Sequence, residues 1–508
     1  MLTATTAISL LLALVAQDRL WQYQGQNSTD LTGADVAAIG DIDADAIVDA
    51  LVGIPYFASA NKGRAVVLSG GDGKLVRAHL GERGFDGLGC YVGGAGDVDQ
   101  DGSPDYLAGA IFHDSAGPQS GRVYLYSGAT GALLWFADGM TGTYLGSGLR
   151  SFGDTDADGI PDFWVSASFG GTYNAGVAYL YSGRDGALLD AIEGEEKYDY
   201  FAQIIESVGD LDGDAAAEFV ISSVSHDSGR GKAYLYRGAD RTQIRTFEGA
   251  HAGAAFGFDV AGVGDLDGDL IGEIAIGEFY RYHGNGMVTI YSGSDFCVLR
   301  RHHGERRWKL AVVEAAGDLN GDGVDEYYLG APAGGENEVG IAYVYSGRTG
   351  RALFQWTGGA QTESTGAEIV RMGDSDLDGV EDVLFGMPYS DQGNPYSYNE
   401  GSVALYAGND LYLQAEDDSI GPGDTIVLQA AGGVPGSQCA LYLVEQNGQP
   451  VWQLMGLVPF DALGEALWKA SAPLPSSSTP SLDLCFLAYA IGYSGTVIDT
   501  GRACVSVR

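Results

Sequence analysis

The chain has 508 residues, 68 of them acidic against 27 basic, and a formal net charge of −41 at pH 7. So negative a surface excludes attachment to a nucleic-acid backbone by counterion release and favours cations and cationic partners. With 45% apolar residues, 79 glycines and only 14 prolines, the composition is that of a folded chain rich in tight turns and excludes a disordered one.

The first element in chain order is the apolar run AISLLLALVA at residues 7–16. It is too short to span a bilayer and reads as the core of a signal peptide over residues 1–17, although no Lys or Arg precedes it. A secreted protein is expected, extracellular or at the cell surface, or else periplasmic. LWQYQG at residues 20–25 follows, a strand by its alternation.

From residue 40 the chain repeats. GDIDADAIVD (40–49), GDVDQDGSPD (96–105), GDTDADGIPD (153–162), GDLDGDAAAE (209–218), GDLDGDLIGE (264–273), GDLNGDGVDE (317–326) and GDSDLDGVED (373–382) are seven copies of one acidic turn, spaced 53 to 57 residues apart. An apolar run precedes each turn, as in FDVAGVG (258–264), and another follows it, as in EIAIGEF (273–279). A third segment such as VYLYSG (123–128) and a fourth such as LLWFADG (133–139) complete the unit. Four strands per unit and no helical periodicity predict an all-β, seven-bladed propeller over residues 18–409. LWQYQG matches a fourth strand yet precedes the first acidic turn, so the N-terminal strand is expected to complete the last blade and remove an exposed edge.

After residue 409 the repeat is lost, and segments such as IVLQAAGG and CALYLVEQNGQPVWQL predict a separate β-sandwich over 410–508. Cys439, Cys485 and Cys504 lie there, and one pair of them can form a disulfide; spacing leaves open which. Cys90 and Cys297 are expected to be small buried hydrophobes.

The acidic turns carry the chemistry. Oxygens at positions 1, 3 and 5 of a tight loop converge on one point, a backbone carbonyl at 7 and a carboxylate at 9 close the shell, and glycine at 6 permits the bend. Such hard oxygen ligation suits Ca²⁺, with up to seven structural sites. The candidate ligands are Asp41, Asp43, Asp45 and Asp49; Asp97, Asp99, Asp101 and Asp105; Asp154, Asp156, Asp158 and Asp162; Asp210, Asp212, Asp214 and Glu218; Asp265, Asp267, Asp269 and Glu273; Asp318, Asn320, Asp322 and Glu326; and Asp374, Asp376, Asp378 and Asp382. Loops one, four and five place Ala46, Ala215 and Leu270 where glycine is expected, and loops four and five end in the longer Glu; these three are expected to be the weaker sites. An EF-hand is excluded, because its last acid falls at position 12 and helices flank it.

With these motifs the chain resembles the FG-GAP repeats of integrin α-subunits and of many secreted bacterial proteins, over about residues 19–408. AFGFDVAGVGDLDGD (255–269) and YYLGAPAGG (327–335) match most closely, whereas RWKLAVVEAAGD (307–318) lacks the Phe-Gly. The resemblance implies that the acidic loops are stabilising calcium sites on one face and that ligands bind the opposite face, on loops between second and third strands. Those loops are long and aromatic, and Tyr56, Phe57, Phe112, Phe169, Tyr173, Tyr280, Tyr282, Tyr389, Tyr396 and Tyr398 are candidates for a ligand rim.

No HExxH, nucleophile elbow or CxxC is present, and the seven histidines read mostly as surface residues. His113–Asp114 and His226–Asp227 are the sequence-adjacent pairs that acid–base chemistry could use, although an Asp so placed more often caps its turn, and RRHHGERRWK (300–309) is a basic cluster that reads as a fourth strand with its turn. The expected function is therefore a non-enzymatic, monomeric binding or adhesion module for an extracellular polysaccharide or protein ligand, with no membrane span. The rival is a polysaccharide lyase or hydrolase built on the propeller.

Overall fold

The computed structural model describes residues 19–408, apart from 28, 59, 281–283, 306–307, 320–322, 336–337, 359–363, 378–379 and 391–398, and beyond them the strands lying within 412–507. The two ends of the propeller supply its last blade, as expected: Arg19–Gln24 pairs beside Ser402–Tyr406, Asp382–Met387 and Glu368–Gly373. The other six blades are each four consecutive strands, so the fold is a seven-bladed β-propeller. Blade two is Leu88–Gly96, Asp105–Ala110, Arg122–Tyr126 and Leu133–Asp138. Every turn within it is an antiparallel connection.

Burial explains the sequence texture. Second strands such as Asp105–Ala110 and Asp162–Ala167 are buried at every position and are accordingly apolar apart from the leading Asp and Ser166. Fourth strands such as Leu133–Asp138 alternate between exposed and covered residues, as the outer edge of a blade requires. Adjacent blades are stitched by single parallel bridges, Gly63 to Leu88, Gly121 to Leu145, Gly286 to Leu310 and Gly340 to Thr365, and the bridge from Gly401 to Thr32 closes the ring. At Gly121, with φ 76°, a Cβ would stand 2.3 Å from the Leu145 nitrogen, so only glycine permits the contact.

Among the described residues, four fourth strands also lay a side chain on a turn glycine of the following blade, at Gly73, Gly131, Gly186 and Gly350. Trp135 covers Gly186, Arg77 covers Gly131, and Trp21 of the closing strand covers Gly73. Trp21 is 7% exposed and its Nε1 donates to the Gly70 carbonyl at 2.6 Å. His79 and His302 serve the same purpose: each meets the hydroxyl of a tyrosine on the following blade, Tyr106 or Tyr327, at 2.8 Å. Burial pushes both imidazoles down to about 4, so they stay neutral. The basic cluster is thus resolved as a fourth strand, Val298–His303.

Residues from Ala407 onward belong to a second unit with two sheets, one of three strands (Tyr412–Ala415, Thr425–Ala431, Ala466–Ser471) and one of five. In the five-stranded sheet the backbone register sets Cys485 opposite Cys504 and Cys439 opposite Ala490. Residues 1–17, the expected signal peptide, lie outside the described residues. No helix among the described residues is long and apolar enough to cross a membrane.

Candidate cation loops and the opposite face

The seven acidic turns each join a first strand to a second strand, and they share one hydrogen-bond scheme. The position-1 carboxylate accepts the backbone N–H of position 6: Asp41 from Ala46, Asp97 from Gly102, Asp154 from Gly159, Asp210 from Ala215, Asp265 from Leu270 and Asp318 from Gly323, at 2.8–3.0 Å. That bond requires position 6 to turn left-handed. Gly102 and Gly159 do so at φ 93° and 87°, and Ala46, Ala215 and Leu270 do so at 71°, 72° and 71°. Position 4 is left-handed in the six loops where it is described, and loops four and five place Gly213 and Gly268 there. The glycine those two loops lack at position 6 is therefore present two residues earlier.

The position-9 acid has a second task that its spacing did not reveal. It is buried, and its carboxylate accepts the N–H of position 2 in every copy, from Ile42 to Asp49 at 2.8 Å through Ser375 to Asp382 at 2.7 Å. Its other oxygen takes the N–H of the glycine ending the third strand: Gly70 on Asp49, Gly128 on Asp105, Gly183 on Asp162 and Gly238 on Glu218, at 2.8–3.4 Å. The signal was the recurrent Ser-Gly or Arg-Gly after each aromatic strand. Burial raises Asp49 and Asp105 to about 6 and Glu273 to about 7.

The structure brings Asp41, Asp43 and Asp45 together, and likewise Asp97, Asp99 and Asp105, and Asp154, Asp156 and Asp162, with one oxygen of each residue within 4.8 Å of the others. Loop five gathers all four of Asp265, Asp267, Asp269 and Glu273 in this way. In it, Glu273 is fully buried, one of its oxygens accepts the Leu266 N–H, and Oε1 has no partner. An orphaned buried acceptor among three further carboxylates is a donor set suited to a hard divalent cation, so the residues fit such an ion. Two position-3 or position-5 acids are held by arginine instead: Asp158 by Arg184 at 2.5 Å and Asp212 by Arg237 at 2.8 Å. Asn320, Asp322 and Asp378 lie outside the described residues.

On the opposite face the rim residues separate into two groups. Tyr56, Phe112, Phe169 and Tyr280 occupy one equivalent position, since each backbone N–H reaches a carbonyl of the connection entering its own blade (Asp30, Asp86, Thr143, Ala254). Tyr389 follows Pro388 as Tyr56 follows Pro55, and it is 45% exposed. Phe112, Tyr144, Phe169 and Tyr200 form a chain of ring contacts with centroids 6.0, 4.8 and 4.6 Å apart. Tyr173 and Tyr280 are open to solvent, at 73% and 53%. Phe57 departs from expectation: it packs on the core cluster of blades one and seven beneath the Arg64 guanidinium, because the Pro55 turn points it inward. Tyr282, Tyr396 and Tyr398 lie outside the described residues. A depression of about 350 Å³ lies among Tyr56, Phe85, Phe112 and Gln119.

The first strands run from this face towards the acidic loops, and their beginnings line an axial cavity of about 230 Å³. Asp35, Arg150, Asp259 and Glu368 line it, as do Cys90 and Tyr91. Glu206 pairs with Arg150 at 2.7 Å, and Asp35 and Asp259 accept the N–H of Val92 and Val313 from the next blade at 2.7 and 2.8 Å. Burial raises Asp35 to about 6, Asp259 to about 7 and Glu314 to about 8, and Glu368 is raised as well; neighbouring carboxylates add to the shift and Arg150 opposes it. Sequence reading missed this group, because its members lie about one blade apart.

Neither histidine pairs with its sequence neighbour: Asp114 caps its turn as expected, accepting the Gln119 N–H, and Asp227 pairs with Arg230 at 2.9 Å. Two expectations are corrected. His113 and His226 are buried, at 0% and 9%, because each tucks under the loop entering its blade. Cys297 is exposed, on the turn before a fourth strand, and Cys90 borders the cavity.

No known family profile matches the chain. Integrin alpha-V of Gallus gallus is 28% identical over 200 residues, covering 35% of this chain and 19% of the relative. Integrin alpha-5 of Xenopus laevis is 28% identical over 219 residues, covering 40% and 20%. The match thus spans about a fifth of the length of these relatives. A solved structure titled as a fungal alcohol oxidase of the AA5 family, in complex with copper, aligns over 96% of this chain and 99% of its own at 11% identity and a TM-score of 0.43, too distant a likeness to carry a functional argument.

Proposed function

From the premise that residues 20–406 form an integrin α-like propeller of FG-GAP type, we propose a secreted binding module whose acidic loops hold structural Ca²⁺ and whose aromatic face takes the ligand. Extracellular polysaccharide or a cell-surface protein is the ligand class. The observation that carries this reading is the set of equivalent aromatic positions, Tyr56, Phe112, Phe169 and Tyr280, with Tyr389 after its own proline, on the face where the first strands begin and where those beginnings line a cavity with carboxylates. The exposed rings of Tyr280 and Tyr389 and the half-buried rings beside them supply stacking area at low entropic cost, and the acidic well favours a ligand carrying basic groups.

Calcium would enter through the loop aspartates and neutralise their mutual repulsion; the position-9 acid and its backbone donors keep each loop in shape. Retention of the protein on a panel of basic, neutral and acidic polysaccharides and on cell-surface protein extracts, with calcium and with EDTA, is the direct test. Retention that favours basic ligands and is lost in Tyr56→Ala and Tyr389→Ala supports the proposal. EDTA is expected to lower the melting temperature by roughly 5–15 °C. Release of reducing or unsaturated ends would replace it with an enzyme, and a melt indifferent to EDTA would remove calcium from it.

A further inference from the structure

The segment Glu195–Tyr200 enters blade four from the fourth strand of blade three, and it meets His226, which begins a tight turn, left-handed at Asp227 and Ser228, after the second strand of blade four. Asp199 is 2% exposed. Its Oδ2 lies 3.0 Å from His226 Nδ1 and accepts the Glu196 N–H at 3.0 Å. Its carbonyl accepts from Ser223 Oγ at 2.9 Å, so the backbone that carries it is anchored to the second strand. One donor atom from each of Glu196, Asp199 and His226 lies within 4.8 Å of the other two.

The hydroxyl of Tyr234 in the same blade is buried, in a residue only 1% exposed, and it faces Glu195 as its blade-two counterpart faces Glu82; burial and the Glu195 and Asp199 carboxylates push its ionisation up. Blade two provides an internal comparison. There Glu82, Asp86, His113 and Tyr124 stand where blade four has Glu195, Asp199, His226 and Tyr234, but Arg83 replaces Glu196. The Tyr124 hydroxyl donates to Glu82 at 3.2 Å, and His113 Nδ1 accepts the Ser115 N–H. Blade four has thus exchanged a cationic side chain for a carboxylate beside its buried Asp–His pair.

We propose that Glu196, Asp199 and His226 bind a divalent transition ion, Zn²⁺ in preference to Ca²⁺, on the face away from the acidic loops. An imidazole with two carboxylates is a borderline donor set that suits zinc, whereas calcium takes oxygen alone. Bonds of about 2.1 Å at the tetrahedral angle place adjacent donors about 3.4 Å apart, so the His226–Asp199 pair, 3.0 Å apart, would open by only a few tenths of an ångström to admit the ion. Three protein donors leave a coordination position for water or for a ligand carboxylate.

Calorimetric titration of the full chain with Zn²⁺, in excess Ca²⁺ so that the loops are saturated, tests the site, with Co²⁺ absorption reporting nitrogen ligation. The wild type should take up one zinc that calcium does not displace, and Glu196→Gln and His226→Gln should each weaken it at least about tenfold. Glu196 is exposed, so its variant keeps the fold, and circular dichroism checks the same for His226→Gln. Absence of calcium-resistant zinc uptake, or wild-type affinity in either variant, overturns the site.

Discussion

At position 6 of the acidic turns the backbone must deliver its N–H to the position-1 carboxylate, and the left-handed twist this demands is imposed whatever residue stands there. Leu270 accepts it at φ 71° with its side chain 91% exposed, so the side chain contributes no packing in return. Leu270→Gly should therefore stabilise the protein by about 1 kcal/mol, and Gly102→Ala, at φ 93° in open space, should cost a similar amount. Paired urea melts measure both; a loss on Leu270→Gly would show that the twist is not strained. The position-1, 3 and 5 acids were legible because their spacing is local. The position-9 clamp was not, because its partner glycine lies about twenty residues on and is reached only when the third strand folds back.

Among elements, the closing strand Arg19–Gln24 carries the most consequence for its length. It supplies the fourth strand of blade seven, and Trp21 covers the Gly73 turn of blade one as Trp135 covers Gly186 between blades two and three. Trp21→Ala should cost about 3 kcal/mol. Deletion of residues 18–26 should lower the melting temperature further, because it exposes the edge of Ser402–Tyr406 as well. A melt unchanged by the deletion would refute closure by this strand. The permutation was legible because LWQYQG has the fourth-strand pattern in a place where no third strand precedes it.

For the whole molecule the decisive feature is the axial channel. Its titratable and charged groups are Asp35, Cys90, Tyr91, Arg150, Glu206, Asp259, Glu314 and Glu368, contributed by the first strands of all seven blades or the residues that enter them. Asp35, Asp259 and Glu314 have folded-state values of about 6, 7 and 8, above the carboxylate range of an unfolded chain. Between about pH 4 and 8 the folded protein therefore holds more protons on these groups than the unfolded one, and their contribution to stability falls as pH rises through that window. Glu314→Gln removes one such group. In saturating Ca²⁺ it should gain on the order of 1–2 kcal/mol over wild type at pH 8 and nothing at pH 4.5, solvent in the channel reducing the full linkage value. Parallel pH profiles of the two proteins would refute the assignment.

The order of amino acids alone determined the blade count, the strands and the acidic loops, because each depends on contacts that repeat within about 55 residues and leave a period in the chain. It determined the closing permutation because the strand that breaks the period is visible at the start of the chain. The aromatic ring was half legible: the loops announce themselves, but Phe57 turns into the core while Tyr56 beside it does not. The channel carboxylates, the His226–Asp199 pair and its comparison with blade two were decided only by the tertiary structure. Radial closure brings together side chains 27 to more than 300 residues apart, and nothing local in the sequence marks groups that become neighbours only when seven separate sheets share one axis.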